Sequence, residues 1–303
     1  MKKKILIIGY GSIGKRHAKI LKKIKEVSKI YILTNQSCRG FIQIRNINKI
    51  KNINPDYIVI SSKTNDHYKH LTFLENNLSD KIILVEKPLF KNFKKLKIYK
   101  NKVFVGYNLR YHPILIYIKN FIKYKKIYSV NINCQSHLPS WRKKINYSNS
   151  NSARKKYGGG VLLELSHEID YIQWIFKKIS KVNYAVLKKV SNLDIDTEDY
   201  VSIAGKTSAS VFSLNLNFFS LKSIRKIIIN GKDFTLEGDL VKNKLKIFEK
   251  NKVRKKKIKI DKDYTYRKQH ESLLNRNFLQ SCSYKEGIGI MSIIDKIKGV
   301  NKI

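Results

Sequence analysis

The stretch Lys4-Ile5-Leu6-Ile7-Ile8-Gly9-Tyr10-Gly11-Ser12-Ile13-Gly14 decides the reading of this chain. Ile5 to Ile8 form a short unbroken apolar run closed by a glycine, the pattern of a strand buried on both faces of a parallel sheet. The residues that follow put Ile13, His17, Ile20, Leu21 and Ile24 on one side of a helix. Between strand and helix, the three glycines fit G-x-G-x-x-G in the context its mechanism demands. Gly9 permits the tight turn, Gly11 lets the backbone approach a pyrophosphate, and Gly14 lets helix and strand pack closely. The helix N-terminus offers that anion free N–H groups and a positive dipole end. Gly9, Tyr10, Gly11, Ser12, Ile13 and Gly14 therefore read as a dinucleotide-binding loop.

Outward from this loop, strands are expected at residues 30–33, 56–60, 81–85 and 102–105, with a helix at 66–76. Strands alternating with helices imply right-handed βαβ units and a doubly wound parallel sheet. Beyond Tyr107 the pattern changes. A helix is expected at 113–121, then strands at 127–135, 181–187, 200–204, 208–215, 225–230 and 244–250, interrupted by a helix at 161–176. Residues 266–282 and 288–298 return to helix. The expected class is α/β: residues 1–112 a dinucleotide-binding domain, residues 113–303 an α+β domain on a mainly antiparallel open sheet.

The length of 303 residues suits two cores, and 42% hydrophobic with 28% charged residues marks a globular chain. No apolar run approaches the roughly 18 residues of a membrane span. The basic, apolar start stops at Gly9, too short for an export signal, and no small-residue cleavage site follows. Cys38, Cys134 and Cys282 are odd in number and lack metal-like spacing, so no metal is expected and a reducing cytoplasm fits. The formal charge of +41 admits two readings, a nucleic-acid partner or a solvated background. Of the 63 basic residues 53 are lysines, spread along the whole chain, whereas base-edge readers rely on arginine clustered on one face. The background reading is preferred, with a secondary role in drawing in an anionic substrate.

NAD binding calls for Asp or Glu about 20 residues beyond the glycine loop. That place holds Thr34, Asn35, Gln36 and Ser37, with Arg39 near, leaving room for a 2′-phosphate. The cofactor expected is NADP or NAD, with a lean to NADP. Glu86-Lys87-Pro88 ends the strand at 81–85, at the strand edge that faces the ligand crevice in such sheets. A lysine there can polarise a carbonyl or ease deprotonation of a hydroxyl, and Pro88 admits a cis bond. Gly158-Gly159-Gly160 opens the segment through Glu164, His167 and Asp170, residues three apart on one helix face. His167 reads either as a general acid–base or as a hydrogen-bonded core histidine, with Asp170 able to hold its second ring nitrogen.

Taken together, Gly9 to Gly14, Ser61 to His67, Glu86-Lys87-Pro88, Gly106-Tyr107-Asn108-Leu109-Arg110-Tyr111 and the triple-glycine helix with His167 resemble the glucose–fructose oxidoreductase/inositol dehydrogenase (Gfo/Idh/MocA) family over nearly the whole chain. The resemblance implies a Rossmann domain followed by an α/β domain whose open sheet often serves as an oligomer interface. It implies reversible hydride transfer between NAD(P) and a hydroxyl-bearing sugar or polyol carbon. It also implies that Ser61, Thr64, Asn65, His67, Glu86 and Lys87 line the cofactor, that Lys87 and His167 are catalytic, and that Glu164 stands where the family usually has Asp. Here carboxylate and histidine are three apart, against the family's common four.

Residues 137–142 and 151–157 resemble a subgroup associated with bacterial surface-sugar biosynthesis. Trp141 offers a face for a sugar ring or a packing anchor, and Arg142 and Arg154 can clamp a carboxylate or phosphate. Asn108, Arg110, Tyr111, His112, Tyr157 and Asp170 complete the expected substrate contacts. The expected function is a cytoplasmic NAD(P)-dependent sugar dehydrogenase or reductase, its substrate activated or acidic, in glycan biosynthesis. It is expected to be a homo-oligomer through the C-terminal sheet, with no membrane or specific nucleic-acid partner. The alternatives are a catalytically silent NAD(P)-binding regulator and a basic nucleic-acid-binding protein.

Overall fold

The computed structural model describes residues 2–142 and 146–300. The chain divides into two compact units, one holding the residues to Tyr111 together with Lys262–Met291, the other His112–Asp261 with the residues from Ser292.

In the first unit, β1 (Lys3–Ile8), α1 (Ser12–Leu21), β2 (Val27–Leu33), β3 (Ile42–Ile44), α2 (Ile50–Ile53), β4 (Tyr57–Ile60), α3 (Thr64–Asn77), β5 (Ile82–Val85) and β6 (Lys102–Val105) follow in order. The strands stand as β3-β2-β1-β4-β5-β6, all parallel, the doubly wound order of a Rossmann domain. Ile5 to Ile8, Ile58 to Ile60 and Ile83 to Val85 are almost fully buried, which explains the unbroken apolar runs.

The second unit opens with α4 (Pro113–Phe121) and β7 (Ile127–His137), followed by α5 (Val161–Glu164) and α6 (His167–Phe176). Strands β8 (Ile179–Lys188), β9 (Tyr200–Thr207), β10 (Val211–Asn217), β11 (Phe219–Gly231), β12 (Phe234–Asp239), β13 (Lys244–Glu249) and β14 (Lys252–Lys257) complete it. They form one open sheet, β14-β13-β12-β11-β7-β10-β9-β8, antiparallel except for β7 beside β10. One face is apolar (Val130, Ile132, Leu214, Leu216, Ile227, Ile229) and buried. The other carries a half-exposed polar ladder in which Ser213 donates to Asn131 at 2.7 Å.

Strands β12 and β14 escape the sequence reading. Gly238 interrupts β12, where a Cβ would press on Ile227 and Ile114. Strand β14, Lys-Val-Arg-Lys-Lys-Lys, is wholly exposed, a charged edge that discourages further strand pairing. The expected assignment of residues 113–303 to one domain also needs correction. After β14 come α7 (Tyr264–Leu274), β15 (Cys282–Ser283) and α8 (Tyr284–Val300). Helix α7 and β15 belong to the first unit, where β15 pairs antiparallel with β6. The reason is apolar: Leu273 and Leu274 complete the core built on Ile5, Tyr57 and Leu84, and Phe278 stacks on Phe104 at 4.7 Å.

His112, expected among the substrate contacts, is the N-cap of α4. Its Nδ1 accepts from the Ile114 N–H at 3.2 Å, and its Nε2–H donates to Asn243 Oδ1 at 3.1 Å. Only the neutral ring can do both. Burial pushes its pKa down to about 4, against an opposing hydrogen bond to Asn243 and with a smaller push from Arg225. Because the folded value lies below the unfolded one, this stabilisation is complete above about pH 6.5 and is lost as pH falls toward 4. The loss at pH 4 is expected to be about 2–3 kcal/mol. Thermal melts between pH 4 and 8 check this, and His112→Asn, which keeps a capping oxygen, should flatten the acid limb.

Candidate active site

The glycine loop sits where the strand order reverses between β1 and β4. Each glycine has its own steric reason. Gly9 has φ +96°, and a Cβ there would lie 2.7 Å from the main chain of Ser62. A Cβ on Gly14 would collide with the Gly9 carbonyl, so α1 is seated directly on the end of β1. Around Gly11 a Cβ would meet nothing within 4 Å. Packing alone does not demand a glycine at Gly11, the N-cap of α1, and the open space there leaves room for a ligand lying on the loop. Helix α1 has no side-chain cap and no acidic residue in its first turn, which leaves its N-terminal N–H groups for an anion. The loop thus fits a pyrophosphate.

The residues expected around it separate into two kinds. Asn35, Ser37, Arg39 and Asn65 are exposed and Thr34, Tyr10 and Thr64 half-buried, so their polar groups are open to a ligand. Ser61 and His67 do internal work instead. Ser61 donates to the Gly9 carbonyl at 3.0 Å, tying the loop after β4 to the glycine loop. The buried His67 ring lies among the carbonyls of Ser62, Pro88 and Leu89, each at 3.2 Å, and burial lowers its pKa.

Glu86 and Lys87 follow β5, on the same carboxyl edge of the sheet as Gly9 and Ser61. Lys87 is half-buried, and the Lys87–Pro88 bond is cis. Glu86 is buried, accepting the Lys87 main-chain N–H at 3.2 Å and facing His17 Nε2 at 2.9 Å. The sequence reading gave His17 no role beyond the apolar side of α1. A polar residue on a buried helix face was the signal available, since it demands a partner.

In the second unit the expected single helix at 161–176 is two. Helix α5 ends at Glu164, Leu165 (φ −100°, ψ 28°) leaves the helical region, and α6 begins at His167. Glu164 and His167 therefore do not share a helix face. Glu164 accepts from Ser152 Oγ at 2.9 Å, while Asp170 and Glu168 are fully buried and His167 nearly so. Glu168, unremarked in the sequence, receives Arg225 of β11 through Nε at 2.7 Å and Nη2 at 3.1 Å. This paired fork fastens the start of α6, and so His167, to the sheet.

Three residues expected to contact substrate have internal partners. Asn108 donates to Thr265 Oγ1 at 2.8 Å, Arg110 pairs with Glu286 Oε1 at 2.8 Å, and the Tyr111 hydroxyl bonds Ser281 Oγ at 2.7 Å. All three are buried, and together they fasten Lys262–Met291 to the first unit. Trp141 and Arg142 are exposed and Tyr157 half-buried. The Trp141 ring meets Phe218 edge-on at 5.2 Å and its Nε1–H donates to Ser136 Oγ at 3.1 Å. Arg154 pairs with Asp194 at 3.3 Å, a surface contact that an anion can replace.

Among the described residues, no helix is long and apolar enough to cross a membrane. Residues 126–237 match the GFO/IDH/MocA C-terminal domain model. The chain is similar to the glucose-6-phosphate 3-dehydrogenase of Bacillus subtilis (strain 168), 24% identical over 234 residues. That match covers 69% of this chain and 66% of the relative, just under two thirds of its length. Among solved structures, a levoglucosan dehydrogenase in complex with NADH and levoglucosan shares the fold with a TM-score of 0.86. It is 16% identical, over 99% of this chain and 97% of that one. The WlbA dehydrogenase from Bordetella pertussis in complex with NADH and UDP-GlcNAcA gives a TM-score of 0.78 at 15% identity, over 99% and 96%. Residues 126–237 thus carry a GFO/IDH/MocA C-terminal domain, and the fold is shared with these dehydrogenases along the length of the chain.

Proposed function

We propose that this chain is a nicotinamide-dinucleotide-dependent oxidoreductase acting on a hydroxyl-bearing carbon of a sugar. The observation that carries the reading is Gly11, open on its Cα side between two glycines that packing requires, with Glu86-Lys87 on the same edge of the sheet. The loop from Gly9 to Gly14 would hold the pyrophosphate, and Thr34, Asn35, Ser37 and Arg39 the adenosine ribose. When bound, the dinucleotide supplies the hydride acceptor for oxidation, or the donor in the reverse direction. Lys87 contributes a positive charge to the oxygen that loses its proton, and His167 takes that proton. Glu164, held by Ser152, is left as a positioning carboxylate.

One of the three similar proteins is named for a phosphorylated sugar, and another is in complex with UDP-GlcNAcA. That supports an anionic sugar here, with Arg142 and Arg154 as its counter-charges and Trp141 as a stacking face. A role in surface-glycan biosynthesis, and self-association through the open sheet, belong to the same reading. The test is a screen of sugar phosphates, UDP-sugars and neutral sugars for a change in nicotinamide absorbance. Turnover confined to neutral sugars rejects the anionic substrate, and no turnover with any class rejects the function.

The loop after β2 has no carboxylate to repel a 2′-phosphate, so NADP is expected to serve at least as well as NAD. Comparing kcat/KM for the two checks this, and a preference for NAD beyond about tenfold reverses it. Gly11→Ala is expected to lower stability by no more than about 1 kcal/mol, the cost of alanine at an N-cap, while weakening dinucleotide binding by about tenfold or more. Calorimetric titration with NADH and NADPH measures it.

A further inference from the structure

A file of four buried polar side chains runs through the first unit from the start of β4 to the end of β5. The Tyr57 hydroxyl lies 2.8 Å from His270 Nδ1, and His270 Nε2 lies 2.8 Å from His17 Nδ1. His17 Nε2 lies 2.9 Å from Glu86 Oε1, and the other oxygen of Glu86 accepts the Lys87 main-chain N–H at 3.2 Å. Both histidines are completely buried, with Tyr57 and Glu86 nearly so. The carboxylate is also sterically confined, since a Cβ on Gly106 would come within 2.9 Å of Oε1.

With both rings neutral, one arrangement of hydrogens satisfies the file. Tyr57 donates its O–H to His270 Nδ1, His270 donates from Nε2 to His17 Nδ1, and His17 donates from Nε2 to Glu86. Burial, with smaller pushes from Tyr111 and Glu86, holds the Tyr57 phenol well above its ordinary range, so it keeps its proton. Burial holds His270 well below the imidazole range, so it stays neutral. Each donor thereby polarises the next toward Glu86. The other titratable groups in its surroundings are Tyr266, edge-on to His17 at 5.6 Å, Tyr111, and His67 in the field of Glu86.

We propose that His17 and His270 are positioning residues for Lys87: the file fixes Glu86 as a hydrogen-bond acceptor on both oxygens, and Glu86 in turn fixes the main chain and charge environment of Lys87. This rests on the catalytic reading of Lys87. With both rings neutral, reversing the file would leave an imidazole lone pair facing the carboxylate, so the direction set at Tyr57 reaches Lys87 through four hydrogen bonds.

The test uses three variants of the whole protein. His17→Gln retains an N–H able to reach Glu86, His17→Leu fills similar space without a donor, and Tyr57→Phe removes only the terminal hydroxyl. One readout needs no substrate: timed acylation with acetic anhydride, following the Lys87 peptide by mass spectrometry with surface lysines as reference. In His17→Leu the relative labelling rate of Lys87 is expected to change by about threefold or more, with Tyr57→Phe moving the same way and His17→Gln close to the parent. In turnover, His17→Leu should lower kcat by about tenfold or more with dinucleotide KM nearly unchanged, and His17→Gln should recover most of it.

If the Leu and Gln variants label alike, the proposal is overturned. Should His17→Leu fail to fold, Tyr57→Phe decides, and labelling identical to the parent overturns the proposal equally. If labelling separates the variants while the parent turns over no sugar, the positioning stands and the functional reading fails.

Discussion

Lys87→Ala is expected to lower kcat by about 10²–10⁴-fold while changing the dissociation constant for NADH or NADPH by less than about threefold. The side chain is delivered by the end of a parallel strand, two strands away from the glycine loop, so removing it leaves the loop and α1 intact. On the proposed mechanism, the loss is that of a positive charge at the oxygen whose proton leaves. Lys87→Arg keeps the charge but spreads it over a planar fork, and should recover only part of the rate. His167→Ala, in the second unit, should give a loss of the same order. Steady-state kinetics with fluorescence titration of the cofactor separates the two effects. Near-normal turnover by either alanine variant removes that residue from the mechanism, and lost cofactor binding with unaltered kcat reassigns Lys87 to the cofactor alone.

The sequence disclosed most where one residue type has one physical use. Gly9, Gly11 and Gly14 could be assigned separate tasks before any coordinates, and the three environments differ accordingly. The central parallel strands declared themselves because burial on both faces leaves unbroken runs of Ile, Leu and Val at residues 5–8, 58–60 and 82–85. Sequence spacing misled where long-range partners decide the outcome. The internal partners of Asn108, Arg110 and Tyr111 were hidden from the sequence, because they lie at Thr265, Glu286 and Ser281, more than 150 residues away. Helical periodicity also placed Glu164 and His167 on one face, because nothing local announces the break at Leu165. His17 was legible in principle, as an imidazole among apolar positions, but its partners Glu86 and His270 come together only through tertiary packing.

The second large effect is expected from a residue no motif points to. Arg225→Met should destabilise the second unit by about 3 kcal/mol, lowering its melting temperature by about 6–12 °C. Glu168 has no exposure, and Arg225 supplies it with two charge-assisted hydrogen bonds. Burial alone would lower the guanidinium pKa, but Cys134, Glu168 and Tyr171 outweigh it and hold it above the ordinary value. None of the other neighbours can replace this cation. Burial pushes the Cys134 thiol up to about 12, and His112 is held neutral with a pKa of about 4. Replacing both partners, Arg225→Met with Glu168→Leu, should restore most of the stability, because the uncompensated charge is gone. The double variant nevertheless loses the fork that fixes the start of α6. Its kcat is therefore expected to stay low while its melting temperature recovers, and full recovery of both would show that Arg225 and Glu168 serve stability alone.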